Sequence, residues 1–152
     1  MGKILGKLAR KVAIVTGASK GMGHQFVARL VCEGVQVAAL ARNSVQLRSL
    51  ETEFGTAVRA IACEVAISAE VNSAVTEAAT HFGRVDLQVN NAAVFVPVMI
   101  EEASDAQVMQ HLGPNLNGVI WLIRAAIPHL RQTQGQIVTI SSESVRNPFP
   151  ML

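Results

Sequence analysis

Residues 16–23 read T-G-A-S-K-G-M-G. A chain carries glycines this dense where its backbone must turn sharply or lie against something close. Just before the run stands Val12-Ala13-Ile14-Val15, apolar and mostly β-branched, which predicts a strand buried on both faces. Just after it, Phe26, Val27, Leu30 and Val31 recur at helical spacing, with Gly34 as the stop. The glycines therefore occupy a strand-to-helix turn. Such a turn aims backbone N–H groups and the positive end of a helix dipole at one place, where a phosphate can be held. Gly17 permits the bend, Gly21 lets a pyrophosphate approach the main chain, and Gly23 lets the helix lie close to the strand. The ligand this pattern predicts is a dinucleotide.

Two other readings share these letters. A glycine turn can be a plain connection between strand and helix, without a ligand. Gly17-Ala18-Ser19-Lys20-Gly21 also matches G-x-S-x-G, the turn that presents the nucleophile of α/β-hydrolases, which would make Ser19 the nucleophile. Against that, no acid and histidine follow at recognisable strand ends, and no H-G-G-G oxyanion loop is present. A P-loop is excluded because no Gly-Lys-Ser/Thr closes the turn.

The 152 residues predict one globular domain spanning 1–152, with 50% hydrophobic and 16% charged residues. Net charge is +2, and Lys3, Lys7, Arg10 and Lys11 crowd the first positions as a solvated cluster, so no nucleic-acid partner is expected. No apolar run suits a bilayer, and no signal peptide is apparent, so no membrane partner is expected and the location predicted is cytoplasmic. Cys32 and Cys63 belong to no motif and read as small buried residues in a reducing compartment. His24, His81, His111 and His129 lack metal-ligand spacing, so no metal site is expected.

Strands are predicted at Val35–Ala41, Ala57–Ala62, Val85–Val89 and Gln136–Ile140, after the first at 12–15. Helices lie between them. Asn43 with Gln46 suggests a capping box ahead of Leu47, Leu50 and Phe54, and Ser68 suggests the cap of a helix closed by Gly83. Ser104 with Gln107 caps the next helix, which Gly113-Pro114 should interrupt or end, and Val119 to Leu130 forms a strongly apolar helix. Strands alternating with helices predict a parallel sheet with right-handed crossovers. Ligands bind beyond the carboxyl ends of such strands, where 16–23, 90–93 and 141–144 all fall.

T-G-x-x-x-G-x-G at 16–23, N-N-A-A at 90–93, N-L-N-G at 115–118 and I-V-T-I-S-S at 137–142, in this order, resemble the short-chain dehydrogenase/reductase family. The resemblance runs the length of the chain. It implies a Rossmann-type, doubly wound α/β fold in three layers, with strand order 3-2-1-4-5, and hydride transfer between NAD(P) and a small carbonyl or alcohol substrate. Carried over residue by residue, Ser19, Lys20, Gly21 and Met22 would line the pyrophosphate and adenosine side. Glu64-Val65 stands where the family has Asp-Val near the adenine. Asn91, with Ala92 and Ala93, would hold the sheet and touch the cofactor ribose, Ala93 replacing the usual Gly. Asn115 would be the active-site Asn, a helix-capping role being the alternative, and Ser142 the residue that hydrogen-bonds the substrate oxygen.

Cofactor choice follows from charge. NAD sites place an acid at the end of the second strand to accept from the ribose 2′-hydroxyl. This chain has Ala41-Arg42-Asn43 there and Lys20 in the turn, a cationic pair suited to the 2′-phosphate of NADP. NADP is the expected cofactor, with NAD the alternative. The family's Tyr-x-x-x-Lys pair has no counterpart, since the chain contains no Tyr and stops at Leu152. The expectation is an amino-terminal part of a longer, homo-oligomeric enzyme that by itself does not turn over, or else a non-catalytic dinucleotide-binding or regulatory protein.

Overall fold

A computed structural model describes residues 6–42 and 44–147. Five parallel strands form one sheet in the order β3-β2-β1-β4-β5. They are β1 Val12–Thr16, β2 Gln36–Ala41, β3 Val58–Ala62, β4 Leu87–Asn90 and β5 Gln136–Thr139. The crossovers are α1 Gly21–Cys32, α2 Ser44–Phe54, α3 Ser68–Phe82, and α4 Asp105–Leu112 continuing into α5 Gly118–Thr133. This is the parallel sheet that the alternation of strands and helices predicts, in the strand order and doubly wound Rossmann-type architecture that the family resemblance implies.

Alternation along the central strands divides the core in two. Ala13, Val15, Val37, Ala39 and Val89 pack with Val27, Leu47 and Leu50 from α1 and α2. Ile14, Ala38, Leu40 and Ile61 pack with Val71, Val75, Leu122 and Ala126 from α3 and α5. β1 is buried at every position because it carries a helical layer on each face. β5 differs: all four of its residues are exposed.

A carboxylate locks the amino-terminal edge of the sheet. Asp86, buried ahead of β4, accepts from Val12 N–H at 3.0 Å, from Lys11 Nζ at 2.9 Å, and from Arg84 through Nε at 2.8 Å and Nη2 at 2.6 Å. Burial alone would raise its pKa; the hydrogen bonds from Arg84, Lys11 and Val12 N–H together hold it below the usual carboxylate range.

Several local expectations shift. β3 begins at Val58 because Gly55–Ala57 forms a 3₁₀ turn, and β4 begins at Leu87, directly after Asp86. Ser68 is the first residue of α3 and not its cap; its hydroxyl accepts from Arg124 Nη2 at 2.9 Å. Gly113-Pro114 does not end the helical course. Gly113–Asn117 forms a π turn joining α4 to α5, a wider loop of helix that accommodates the missing proline N–H. The Ser104–Gln107 capping box is present. Gly83 ends α3 with φ 76°. Asn43, the proposed cap of α2, lies outside the described residues.

Candidate functional site

The site begins where β1 runs out. Thr16 is fully buried, and its hydroxyl accepts from the N–H groups of Asn91 and Ala92, each at 3.0 Å. Asn91 returns the contact, donating from Nδ2 to Thr16 O at 2.9 Å. These bonds join the carboxyl ends of β1 and β4. Between β1 and β2 the chain is pinned by Ala18 N–H to Leu40 O at 3.1 Å. β1 has β2 on one side and β4 on the other, so the glycine turn sits where the chain switches direction across the sheet.

The turn has the form its glycines predict. Gly21 has φ 55°, a left-handed conformation, and a Cβ built on it would meet nothing within 4 Å. The main chain therefore faces open space there. Gly23 is the opposite case. A Cβ on it would lie 2.1 Å from Gly17 O and 2.8 Å from Asn91 Nδ2, so its hydrogen is what lets α1 lie against the turn. At the start of α1 no side chain caps the helix, and its first turn holds no acid. The first N–H groups of a twelve-residue helix thus point outward without an internal acceptor.

These groups open on a cleft of about 720 Å³. Gly17, Ser19, Lys20 and Gly21 line one side, Arg42, Glu64 and Val65 another, and Asn91, Ala92 and Ala93 a third. Ten of the predicted site residues therefore meet in one cavity, although they come from four separate stretches of chain. Met22 and Gly23 do not line it: Met22 is exposed on the first turn of α1, and Gly23 is buried against the turn.

Arg42 and Glu64 come together at the edge of this cleft. β2 and β3 are paired with Ala41 opposite Ala62, so the residues that follow them project from the same end of the sheet. Arg42 Nη1 lies 3.6 Å from Glu64 Oε2. Glu64 is further held by Ala66 N–H, donated to its Oε1 at 3.2 Å, while its own N–H donates to Glu70 Oε2 at 2.7 Å. An acid is missing from the end of β2, as the sequence shows, yet the fold brings one to Arg42 from the end of β3.

Sequence reasoning passed over several members of the site. Cys63 lines the cleft and is 2% exposed; burial, then Glu70 and Glu64, push its thiol up to about 12, so it is an apolar wall and no nucleophile. Met109, Gln110, Gly113 and Pro114 close the far side, carried there by α4 and the π turn. His111 is buried; its Nε2 accepts from Val96 N–H at 3.0 Å, and its Nδ1 donates to Gln107 O at 2.8 Å. Asn115 is in the π turn and caps no helix. Its amide brackets Val94, accepting from Val94 N–H and donating to Val94 O, both at 2.8 Å. His111 and Asn115 together fix residues 94–96 beside the cleft. Ser142 stands apart from the cleft. Its Oγ accepts from Ser144 N–H at 3.1 Å, capping the 3₁₀ turn Glu143–Val145.

Ser19 lines the cleft, but histidines that make hydrogen bonds are engaged elsewhere: His24 with Glu53, His111 with Val96 and Gln107. Among the described residues no cluster of His, Cys, Asp or Glu could hold a metal ion, and no helix is long and apolar enough to cross a membrane.

Comparison with known proteins agrees with this geometry. Residues 11–152 match the short chain dehydrogenase family profile. The chain is 36% identical over 140 residues to L-fucose dehydrogenase of Rattus norvegicus, covering 91% of this chain and 51% of that one. It is 34% identical over 149 residues to 11-beta-hydroxysteroid dehydrogenase-like 3 of Arabidopsis thaliana, covering 95% of this chain and 48% of that protein. Among solved structures, the 3-ketoacyl-(acyl-carrier-protein) reductase of Brucella melitensis complexed with NADH superposes with a TM-score of 0.89 at 31% identity. That match covers 95% of this chain and 62% of the reductase. The chain thus spans about half the length of the L-fucose dehydrogenases it matches.

Proposed function

The chain belongs to the short-chain dehydrogenase family, and from that membership and the glycine turn we propose that it is the cofactor-holding part of an NADP-dependent oxidoreductase acting on a small carbonyl compound or the corresponding alcohol. The uncapped amino terminus of α1, opening on the cleft with nothing in front of Gly21, carries this reading. A dinucleotide fits these residues: the space before Gly21 is the space a side chain would fill, and the polar groups around it are backbone amides and the cations Lys20 and Arg42, with one carboxylate, Glu64, at the edge. The nicotinamide, when bound, supplies or accepts the hydride.

Residues of this chain then have distinct tasks. The amides from Ser19 to Gly21 would hold the pyrophosphate, with Val65 and Cys63 against the adenine. Lys20 and Arg42 would take the 2′-phosphate, and Asn91 to Ala93 would border the ribose. Asn115 acts through the backbone: by clamping Val94 it keeps the loop after β4 at the edge of the cleft. Ser142 would donate to the substrate oxygen, and that use requires release of its contact to Ser144. Exposed Leu112, Leu116 and Ile120, on α4, the π turn and α5, support self-association of the whole enzyme, and the free thiols suit a cytoplasmic setting.

The same reading includes silence. With no Tyr in the 152 residues, no phenol is available to pass the proton, so these residues bind nucleotide without turning it over. The second reading is a non-catalytic dinucleotide-binding protein on the same fold. Calorimetric titration with NADPH and NADH, beside a carbonyl-reductase assay, tests both. Binding without turnover is expected, and Arg42→Ala should weaken NADPH by about 1.5–3 kcal/mol while sparing NADH. NADPH oxidation at enzymatic rates would contradict the inactivity, and absence of nucleotide binding would contradict the cofactor site.

A further inference from the structure

We propose that Glu64 determines cofactor specificity: its carboxylate, brought from the end of β3 to Arg42 at the end of β2, offsets the cation that selects a 2′-phosphate. This rests on the cofactor reading above and concerns the same cleft. The pair is unequal. Glu64 is the anchored member, its side chain 29% exposed and tied to Ala66 N–H, whereas the Arg42 side chain is 74% exposed. At 3.6 Å the contact is an ion pair, longer than a charge-assisted hydrogen bond. The guanidinium is therefore available to a second anion, but it meets that anion already partly neutralised. A 2′-phosphate seated on Arg42 also comes close to the Glu64 carboxylate, and like charges at such range oppose one another. A 2′-hydroxyl carries no charge and meets no such opposition.

Side-chain length decides the effect. Arg42 and Glu64 follow strand ends whose backbones are already in register, so reach across the gap falls to the side chains. Aspartate at position 64, one methylene shorter, would draw the carboxylate back from Arg42. Glutamine would keep the reach and the acceptor for Ala66 N–H while removing the charge. The full-length acid is the form that holds discrimination down.

The test is titration of the 152-residue chain with NADPH and with NADH, for wild type, Glu64→Gln, Glu64→Asp and Glu64→Gln in an Arg42→Ala background. In about 50 mM salt, Glu64→Gln should tighten NADPH by about fivefold to tenfold and change NADH by less than about twofold. Glu64→Asp should move in the same direction by less. The gain should shrink at about 0.5 M salt, and it should shrink without Arg42, where only direct repulsion between Glu64 and the phosphate is left to relieve. If both nucleotides bind wild type and Glu64→Gln leaves their ratio unchanged, weakens NADPH, or tightens both equally, the inference fails while the cofactor site stands. A gain of undiminished size in the Arg42→Ala background overturns the route through Arg42. If neither nucleotide binds wild type, the cofactor reading fails and this inference falls with it.

Discussion

Replacing Gly23 by alanine adds one methyl group where the fold has no room for it. The added Cβ would lie 2.1 Å from Gly17 O and 2.7 Å from Gly17 C, both backbone atoms of the turn. Real Cβ contacts almost never fall below 3.0 Å, so helix and turn must separate by about 0.9 Å. Neither side moves cheaply. Val27 on α1 and Ala18 within the turn are fully buried, and Asn91 Nδ2 is bonded to Thr16 O. Overpacking of this kind costs about 1–3 kcal/mol, and the amides that face the cleft move with the turn. Gly55→Ala is the control. Gly55 has φ 59° with nothing within 4 Å of a built Cβ, so it carries backbone strain of about 1–2 kcal/mol without a clash and lies outside the cleft. Urea denaturation and NADPH titration separate the two variants. Both lose stability, and Gly23→Ala alone loses nucleotide affinity, by about tenfold or more. If Gly23→Ala binds NADPH as wild type does, the close approach of α1 to the turn is not what shapes the site.

Asp86 has a depressed folded pKa, so its contribution to stability is complete above the unfolded carboxyl value near about 4 and is lost as pH falls through the folded value. Asp86→Asn should cost about 2–3 kcal/mol at pH 7 and flatten the acid limb of the stability curve, read by urea melts from pH 7 to pH 3. Of the two thiols, exposed Cys32 should react with a disulfide reagent rapidly at pH 8 and Cys63 only on unfolding, since burial pushes its thiol up to about 12. His111→Leu leaves Val96 N–H without its acceptor and should cost about 1–2 kcal/mol, with faster amide exchange confined to residues 94–97.

The parts legible in the sequence are those that short stretches decide. Three glycines between an apolar run and a helical stripe announced β1, the turn and α1, and the same reasoning located the capping box at Ser104. What escaped depends on register between distant segments. Arg42 and Glu64 are adjacent only because β2 and β3 pair with Ala41 opposite Ala62, a fact no local pattern holds. The clip at Asp86 needs Lys11 from one strand edge and Arg84 from the other. His111 was considered only for metal-ligand spacing, and its actual work is to accept one backbone N–H from a loop fifteen residues earlier. Pro114 argued for a helix break, where a π turn carried the helix through.

Binding and chemistry depend on differently packed parts of the sheet. The turn and residues 91–93 hang from β1 and β4, whose ends are cross-linked through Thr16 and Asn91 and whose own Val15 and Val89 are buried. Ser142 hangs from β5, where Ile137 and Val138 remain 39% and 45% exposed. An exposed edge strand opens more readily than a central one, because fewer apolar contacts are lost when it does. Hydrogen exchange should therefore rank β1 slowest and β5 fastest among the strands. NADPH should protect residues 17–23 and 91–93 while leaving 141–144 nearly unchanged. Equal protection of 141–144 would mean that the nucleotide orders the Ser142 segment as well, and that β5 is coupled to the cofactor more tightly than its packing implies.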